Sequence, residues 1–287
     1  MTFVRPFKPN YGTGADGVLT LSGTVTKQEY NLADGSSISG LTLSNSYLPS
    51  IIRCLGTLTI SGAIQGNGLG YAGGARGTTA NIGYPGTGPG RGAPPQAWNQ
   101  SAGGGGHAAP GGGEASINAP GYPYDGLADI LKGSYDVYCA GSGGAGGISD
   151  GTQTGTYGGA GGSGAAGLIL IAPTVVFGSS ALMSLNGNNG EAAYRIDVTW
   201  HPCGGGGGSG GFLLVLAQNI VLPSSGTIIT AVGGAGGASI ASAAGGNGAN
   251  GRIYLCYLNS ITPSDAASRS TPVATVINLA KLPVAVG

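Results

Sequence analysis

The side chains that could do chemistry are few in this 287-residue chain, and two histidines are the only ones suited to act as bases near neutral pH. His201 precedes Cys203 by two residues, a spacing that places both side chains on one face of an extended strand. Nothing at a recognisable spacing orients the imidazole, as nucleophilic catalysis requires. His107 follows a glycine tract and is interpreted as a loop residue. The sequence therefore predicts no catalytic pair.

Three further patterns resemble motifs with a known chemistry. Residues 141–146 match G-x-G-x-x-G, but a glycine-rich chain generates that pattern by chance, and no strand and helix surround it. Residues 158–164 lack the aspartates of calcium-binding glycine repeats. Paired carboxylates cleave glycosides, but the carboxylates of this chain that cluster in one region are interpreted as solvated loop residues: Glu114, Asp125, Asp129 and Asp136. We predict that the chain is not an enzyme and holds neither metal nor cofactor.

Aromatic side chains in loops with few other side chains are the best candidates for binding. Rigid amphipathic rings offer a large contact area at a low entropic cost, and they also stack on sugars. The alternative is that the rings cap the glycine-rich part of the fold or fill an interface between subunits. The candidates are Trp98, Tyr122, Tyr124, Tyr135, Tyr138, Tyr157, Tyr194 and Trp200.

The elements that must position these rings are unusual, because 62 of the 287 residues are glycine. Glycine loses more conformational freedom on folding than any other residue, so such a chain must gain from very close backbone packing. Collagen is excluded because runs such as Gly204–Gly208 break the required three-residue repeat. Disorder is disfavoured because 41% of the residues are hydrophobic and only 8% are charged. The chain should therefore fold.

The charge balance narrows the possible partners. Eleven basic and eleven acidic residues cancel, which removes the electrostatic footprint of a protein that binds nucleic acid or an anionic membrane. A surface so poor in charge suggests a protein that works within an assembly. No apolar run reaches the roughly 18 to 20 residues of a membrane span, and the first residues do not resemble a signal peptide. We expect synthesis in a cytoplasm and no membrane insertion.

The cysteines are widely scattered and form none of the close pairs of zinc or redox sites. They are Cys54, Cys139, Cys203 and Cys256. The preferred interpretation is four small buried apolar residues in a reduced compartment, with one or two disulfides as the alternative.

The chain divides into three sections. Residues 1–65 contain short alternating runs with tight turns, which predict successive strands, and residues 66–258 form a glycine-rich strand-repeat domain. Residues 259–287 are interpreted as an extended tail that docks on a neighbour. The second section contains an imperfect repeat of about 44 to 46 residues, in which a strand, a turn, a strand and a glycine excursion follow one another.

This organisation predicts an elongated all-β protein of strand repeats, either β-helix-like or with two sheets. Loops longer than about 15 residues are uncommon unless they are functional or disordered. We therefore expect the glycine-rich loops to pack together as extended strands of the polyproline II type, at a spacing that side chains would prevent.

The residues then resemble a known group of proteins. Gly14-Ala-Asp-Gly17 with Val18-Leu-Thr-Leu-Ser22, the step from Leu58 to Gly68, and the cycle of glycine tract, apolar run and glycine tract are similar to glycine-rich virion proteins of tailed bacteriophages. Some of these are tail-fibre adhesins that build a sandwich of polyglycine strands and present variable loops to a host receptor. This chain departs from them in its β-rich opening section.

The resemblance implies a virion surface protein, assembled as a homo-oligomer such as a homotrimer, that contacts other virion proteins. The leading expectation is a tail-fibre, spike or adhesin type of protein for host attachment to a surface glycan or protein. One alternative is a structural head-fibre or capsid-decoration protein that binds no receptor. A third is the subunit of an extracellular filament.

Overall fold

The computed structural model describes residues 9–44, 47–78, 82–97, 100–113, 139–149, 156–195, 201–240 and 243–281. Strands account for 33% of the residues and helix for 3%, so the chain belongs to a mostly β class. Among the described residues, no helix is long and apolar enough to cross a lipid bilayer.

The described residues form twelve strands, and two short 3-10 helices follow β10 and β12, at Ala266–Arg269 and Leu279–Lys281. The strands are β1 Thr20–Thr24, β2 Glu29–Leu32, β3 Ser37–Thr42, β4 Ser50–Cys54, β5 Thr57–Gln65, β6 Gly167–Phe177, β7 Leu182–Ser184, β8 Phe212–Val221, β9 Ile229–Thr230, β10 Arg252–Thr262, β11 Ser270–Thr271 and β12 Thr275–Asn278.

All twelve strands pair in parallel, and the chain alternates between two rows. The odd-numbered strands β1 to β11 form one row, called here the odd row, and the even-numbered strands β2 to β12 form the even row. Strand β5 joins the rows because it pairs with both β6 and β7. The result is one sheet, in which eight strands follow one hydrogen-bonded path and curl into a half-barrel.

The register of the even row explains its apolar sequence. Ile52, Leu170, Val215 and Leu255 are direct neighbours across β4, β6, β8 and β10 and face the larger core. The residues that alternate with them, such as Ile169 on β6, belong to a second apolar cluster on the opposite face. Because both faces of this row are buried, its strands are continuous hydrophobic runs rather than alternating ones.

The larger core is shared by the two rows. Ile38, Ile64 and Met183 of the odd row pack in the same cluster as Leu168 and Leu213 of the even row, and each is at most 1% exposed. The second cluster contains even-row residues together with Cys139, which lies outside the strands.

The predicted fold class, an elongated strand repeat of the β-helix-like or two-sheet type, is wrong. The structure is a single curled parallel sheet and is not an elongated repeat. The two halves of the predicted repeat are unequal, since β6, β8 and β10 have 10 or 11 residues but β7, β9 and β11 have only 2 or 3. The nine-residue strand β5 pairs with β6 through its first residues and with β7 through its last, so the rows join at β5.

The four cysteines form no disulfide and are buried, as the preferred interpretation expected. Burial raises the pKa of the Cys54 thiol, and it raises the pKa of Cys256 to about 12. A thiol held neutral in this way is a poor nucleophile and a poor metal ligand.

Candidate functional site

The glycine-rich segments pack on one another and form what we call the glycine layer. It consists of residues 66–77, 82–93, 102–113, 139–149, 156–166, 185–194, 203–211, 231–239 and 244–251. Segments 66–77, 185–194 and 231–239 leave the sheet after β5, β7 and β9, and segments 156–166, 203–211 and 244–251 return to β6, β8 and β10. The layer is therefore anchored to the sheet at one end.

Backbone hydrogen bonds within the layer recur at every third residue. Backbone N–H groups of segment 139–149 donate to its neighbour 156–166 at every third residue, and those of 156–166 donate to 203–211 at the same interval. Three residues per turn with bonds between chains is the geometry of extended glycine-rich helices. The pairs are Gly141 to Ala165 (2.7 Å), Gly144 to Gly162 (2.9 Å), Gly147 to Gly159 (2.8 Å), Gly159 to Cys203 (3.0 Å), Gly162 to Gly206 (2.8 Å) and Ala165 to Ser209 (3.0 Å).

The interior of the layer admits no side chain at most of its glycines. A Cβ atom built on Gly205 would overlap the carbonyl oxygen of Ala160, and one built on Gly144 would overlap that of Gly206. Both separations are far below 3.0 Å, a distance that real Cβ atoms essentially never show, and the obstructing atoms belong to the backbone. Every residue of segment 139–149 is buried. Glycine is therefore required here by contact distance.

The three-residue period also decides which positions can carry a side chain at the surface. In segment 185–194, Asn188, Glu191 and Tyr194 are all exposed. Gly187 and Gly190, on another side of the same segment, face carbonyl oxygens of segment 203–211. Because residues three apart share one direction on a three-residue turn, the exposed residues form a row along the outside of the layer.

Two of the predicted binding residues meet at the end of this row. Tyr157 and Tyr194 form an antiparallel bridge, with nitrogen to oxygen distances of 2.8 and 3.0 Å. Tyr194 is 58% exposed and Tyr157 is half-buried. One turn towards the sheet, Nη2 of Arg76 lies 3.2 Å from Oε2 of Glu191, and both side chains are half exposed. The site thus combines tyrosines with an exposed ion pair.

Other hydrogen bonds place further residues at the same end of the layer. Gly158 donates to Gly77 (3.0 Å), Ala193 donates to Ala238 (2.9 Å), and Cys203 donates to Ile148 (3.0 Å). These contacts join the ends of segments that are distant in sequence. We call this end the distal surface, since it lies opposite the sheet. The side chains that we assign to it are Arg76, Ile82, Tyr157, Glu191, Tyr194, Arg195 and Ile240.

The distal surface is apolar for an exposed surface. Ile82 and Ile240 are each 46% exposed, although isoleucine is usually buried. The Arg76 and Glu191 pair adds no net charge. The chemistry that this surface offers is therefore mainly contact with apolar and aromatic groups, together with hydrogen bonds from the tyrosines.

The remaining binding candidates fall outside the described residues. They are Trp98, Tyr122, Tyr124, Tyr135, Tyr138 and Trp200. The structure therefore brings together Tyr157 and Tyr194, and it provides no position for the others.

Two of the residues considered for catalysis are buried. His107 lies outside the strands and helices, as interpreted, but it is fully buried in the glycine layer, with Nδ1 2.7 Å from the carbonyl oxygen of Gly210. Cys203 is also fully buried. Within the described ranges, no group of three His, Cys, Asp or Glu side chains could hold a metal ion.

Sequence reasoning missed several exposed residues. Arg76, Ile82, Glu191 and Ile240 join the distal surface only because the layer folds their segments together. The spacing of Asn188, Glu191 and Tyr194 was a usable signal, since three larger residues at intervals of three interrupt a glycine-rich run. Tyr47 was missed as well. It is 52% exposed, and its ring stacks on Tyr71 with centroids 4.4 Å apart.

Comparison with known proteins adds no relative. No family model, no curated protein and no solved structure matches this chain. The fold and the site define it as a mostly β protein in which a curled parallel sheet carries a glycine layer with an exposed distal surface.

Proposed function

We propose that this chain is a virion surface protein of a tailed bacteriophage and that it attaches the particle to a host surface through the distal surface. One observation carries the proposal: exposed aromatic and apolar side chains collect at the end of the glycine layer opposite the sheet. Tyr194 at 58%, Ile82 at 46% and Ile240 at 46% exposure are the main examples. The resemblance to glycine-rich virion proteins supplies the biological setting.

The glycine layer beneath the distal surface has properties that favour a recognition role. Segments 139–149 and 203–211 are buried along their length and bonded to several neighbours, so the layer has little freedom to rearrange. Side chains presented from a rigid backbone lose little entropy when they bind. Tyrosine adds a flat ring that stacks on sugars and a hydroxyl group that forms hydrogen bonds.

Attachment through such a surface depends on the number of copies. A few exposed rings form a weak contact alone, but several copies on one particle raise the effective concentration of the remaining sites after the first has bound. The proposal therefore concerns a protein that acts many times on a particle.

The location on the particle is tested by labelling. Particles that contain the chain are incubated with gold-conjugated antibody raised against the recombinant protein and are imaged by electron microscopy. Gold at the tail tips supports attachment, whereas gold over the heads identifies a capsid-decoration protein. Gold along filaments attached to cells overturns the phage assignment.

The site is tested by binding of the purified protein to cells that the particle infects. Replacing Tyr194 by Ala together with Ile240→Ala should weaken binding at least tenfold, while Leu182→Ala is the matched control. Leu182 is 44% exposed but lies on β7 of the sheet. If the double variant binds cells like the wild type but no longer forms oligomers, the distal surface is a subunit interface.

A further inference from the structure

The sheet ends in two open edges at opposite ends of the described rows. At the first edge, residues 14–17 lie outside β2 in the even row, where Gly17 bridges Leu32 and Asp16 donates to Asn31 (2.9 Å). Strand β1 is the outermost strand of the odd row. At the last edge, β12 ends the even row and β11 ends the odd row. At each edge, therefore, the even row and the odd row each end in one segment or strand.

The register is continuous across the even row, so residues at one level of each strand pair with one another from β2 to β12. Asn31, Arg53, Ile171, Leu216, Cys256 and Ile277 are successive partners from β2 to β12. A second copy displaced along the rows would therefore bring its residues 14–17 beside β12 and its β1 beside β11. All the strands would remain parallel. From this continuity we propose that a second copy of this chain docks head to tail, the first edge of one copy on the last edge of the next.

Exposed apolar side chains lie at both edges. Val18 is 64% exposed and Leu19 is 40% exposed beside β1, while Val273 is 72% exposed and Val276 is 37% exposed at the other edge. Open strand edges with apolar side chains are the surfaces on which strands from other molecules add. Docking would cover both groups at once.

The charges of the two edges are complementary. At the first edge, Asp16 pairs with Lys27 and Glu29 pairs with Arg53. The carboxylate of Asp34 accepts a hydrogen bond from the backbone N–H of Thr57 and keeps its negative charge. At the last edge, the ion pair of Asp265 with Arg269 leaves the ammonium group of Lys281. Asp34 and Lys281 are both exposed.

Asp34 lies in the turn that follows β2, at the first edge, and Lys281 ends the 3-10 helix that follows β12, at the last edge. Head-to-tail docking therefore puts opposite charges on the two edges that meet. Two-fold pairing of identical edges would be antiparallel and would not continue the parallel register of the rows.

Two single-edge variants test the interface. Val18→Lys blocks the first edge and Val273→Lys blocks the last, and both replace exposed side chains, so both should fold with the circular-dichroism spectrum of the wild type. The control is Ile240→Lys, which adds a charge on the distal surface. Molar mass is measured by light scattering over a hundredfold range of concentration, against a monomer of 27.6 kDa.

The wild type and the control should increase in mass with concentration beyond a dimer, whereas each single-edge variant alone should stay monomeric. An equimolar mixture of the two variants should stop at a dimer, because each retains the edge that the other lacks. A wild type that stays monomeric overturns the proposal. A dimer that only one of the two variants disrupts also overturns it, because such a dimer has a two-fold interface. A closed oligomer that neither variant changes overturns it as well. None of these results depends on host attachment.

Discussion

Tyr157 and Tyr194 each donate their backbone N–H to the other's carbonyl oxygen, at 2.8 and 3.0 Å. The tyrosines end two neighbouring segments of the glycine layer, 156–166 and 185–194. The backbone exchange holds both residues in place whatever their side chains contact. Replacing either ring therefore removes contact area from the distal surface without removing the bridge, so function and folding can be separated by mutation.

The contact distances in the layer predict a large cost for a single methyl group at Gly205. Gly205→Ala should lower the free energy of unfolding by about 3 kcal/mol, the upper end for overpacking, because the obstructing atom is the backbone oxygen of Ala160. The measurement is urea denaturation. Gly40→Ala on β3 is the matched control, since nothing lies within 4 Å of its Cβ position. Equal urea midpoints for Gly205→Ala and Gly40→Ala would show that the backbone of the layer shifts to accommodate the methyl group.

Asparagine side chains bond the outer segments of the layer together. Oδ1 of Asn189 accepts from the backbone N–H of Ala235 at 2.8 Å. Asn189→Ala should reduce the unfolding free energy by about 1 kcal/mol, the usual size for one hydrogen bond. Asn189→Asp keeps an acceptor oxygen and should recover most of the loss at neutral pH. Thermal unfolding of the three proteins checks this, and an aspartate variant as unstable as the alanine variant would contradict it.

Acid should weaken the first edge of the sheet. Hydrogen bonds from Lys27 and from the backbone N–H of Asn31 lower the pKa of Asp16. A carboxyl whose folded pKa lies below its unfolded value of about 3.9 stabilises the fold above that value, and the stabilisation disappears as the pH falls through the folded pKa. Unfolding free energy measured from pH 6 to pH 2 should therefore fall less steeply in Asp16→Asn. If the unfolding free energies of the wild type and of Asp16→Asn fall with the same slope, Asp16 does not stabilise the fold in this way.

The buried thiols predict resistance to alkylation. Burial raises the pKa of Cys256 to about 12, so this thiol stays neutral in the folded protein at pH 8. An unfolded thiol ionises near 8.5, so the native state holds its proton more tightly, and the stabilisation decreases as the pH rises above that value. Iodoacetamide should label the four cysteines only at the rate of unfolding, followed by mass spectrometry. Rapid labelling of the native protein would show that at least one thiol is accessible.

Several features of the fold could be predicted from local sequence. The apolar run Leu168-Ile-Leu-Ile171 is typical of a strand that must be buried, and it forms the buried first half of β6. The scattered, unpaired cysteines indicated buried thiols, which the structure contains. These predictions succeeded because burial of a strand or of a small apolar side chain follows from the residues themselves.

The overall class was predicted wrongly for a reason that can be named. The repeat predicted a β-helix-like or two-sheet structure, but β5 pairs with both β6 and β7, so the two rows form one sheet. The length of a repeat does not show that one strand will have partners in both rows. His107 shows a similar limit, since its glycine-rich surroundings predicted a loop residue but not its burial inside the layer.

The sequence by itself determined that the chain is mostly β, that its glycine tracts need close backbone contacts, and that its formal net charge is zero. These properties follow from composition and from short runs, because conformational entropy and net charge are sums over residues. Only the tertiary structure decided that Tyr157 meets Tyr194, that Arg76 pairs with Glu191, and that β11 and β12 end the two rows of the sheet. Such relationships join segments far apart in the chain, and they depend on which glycine segments approach closely enough to exchange hydrogen bonds.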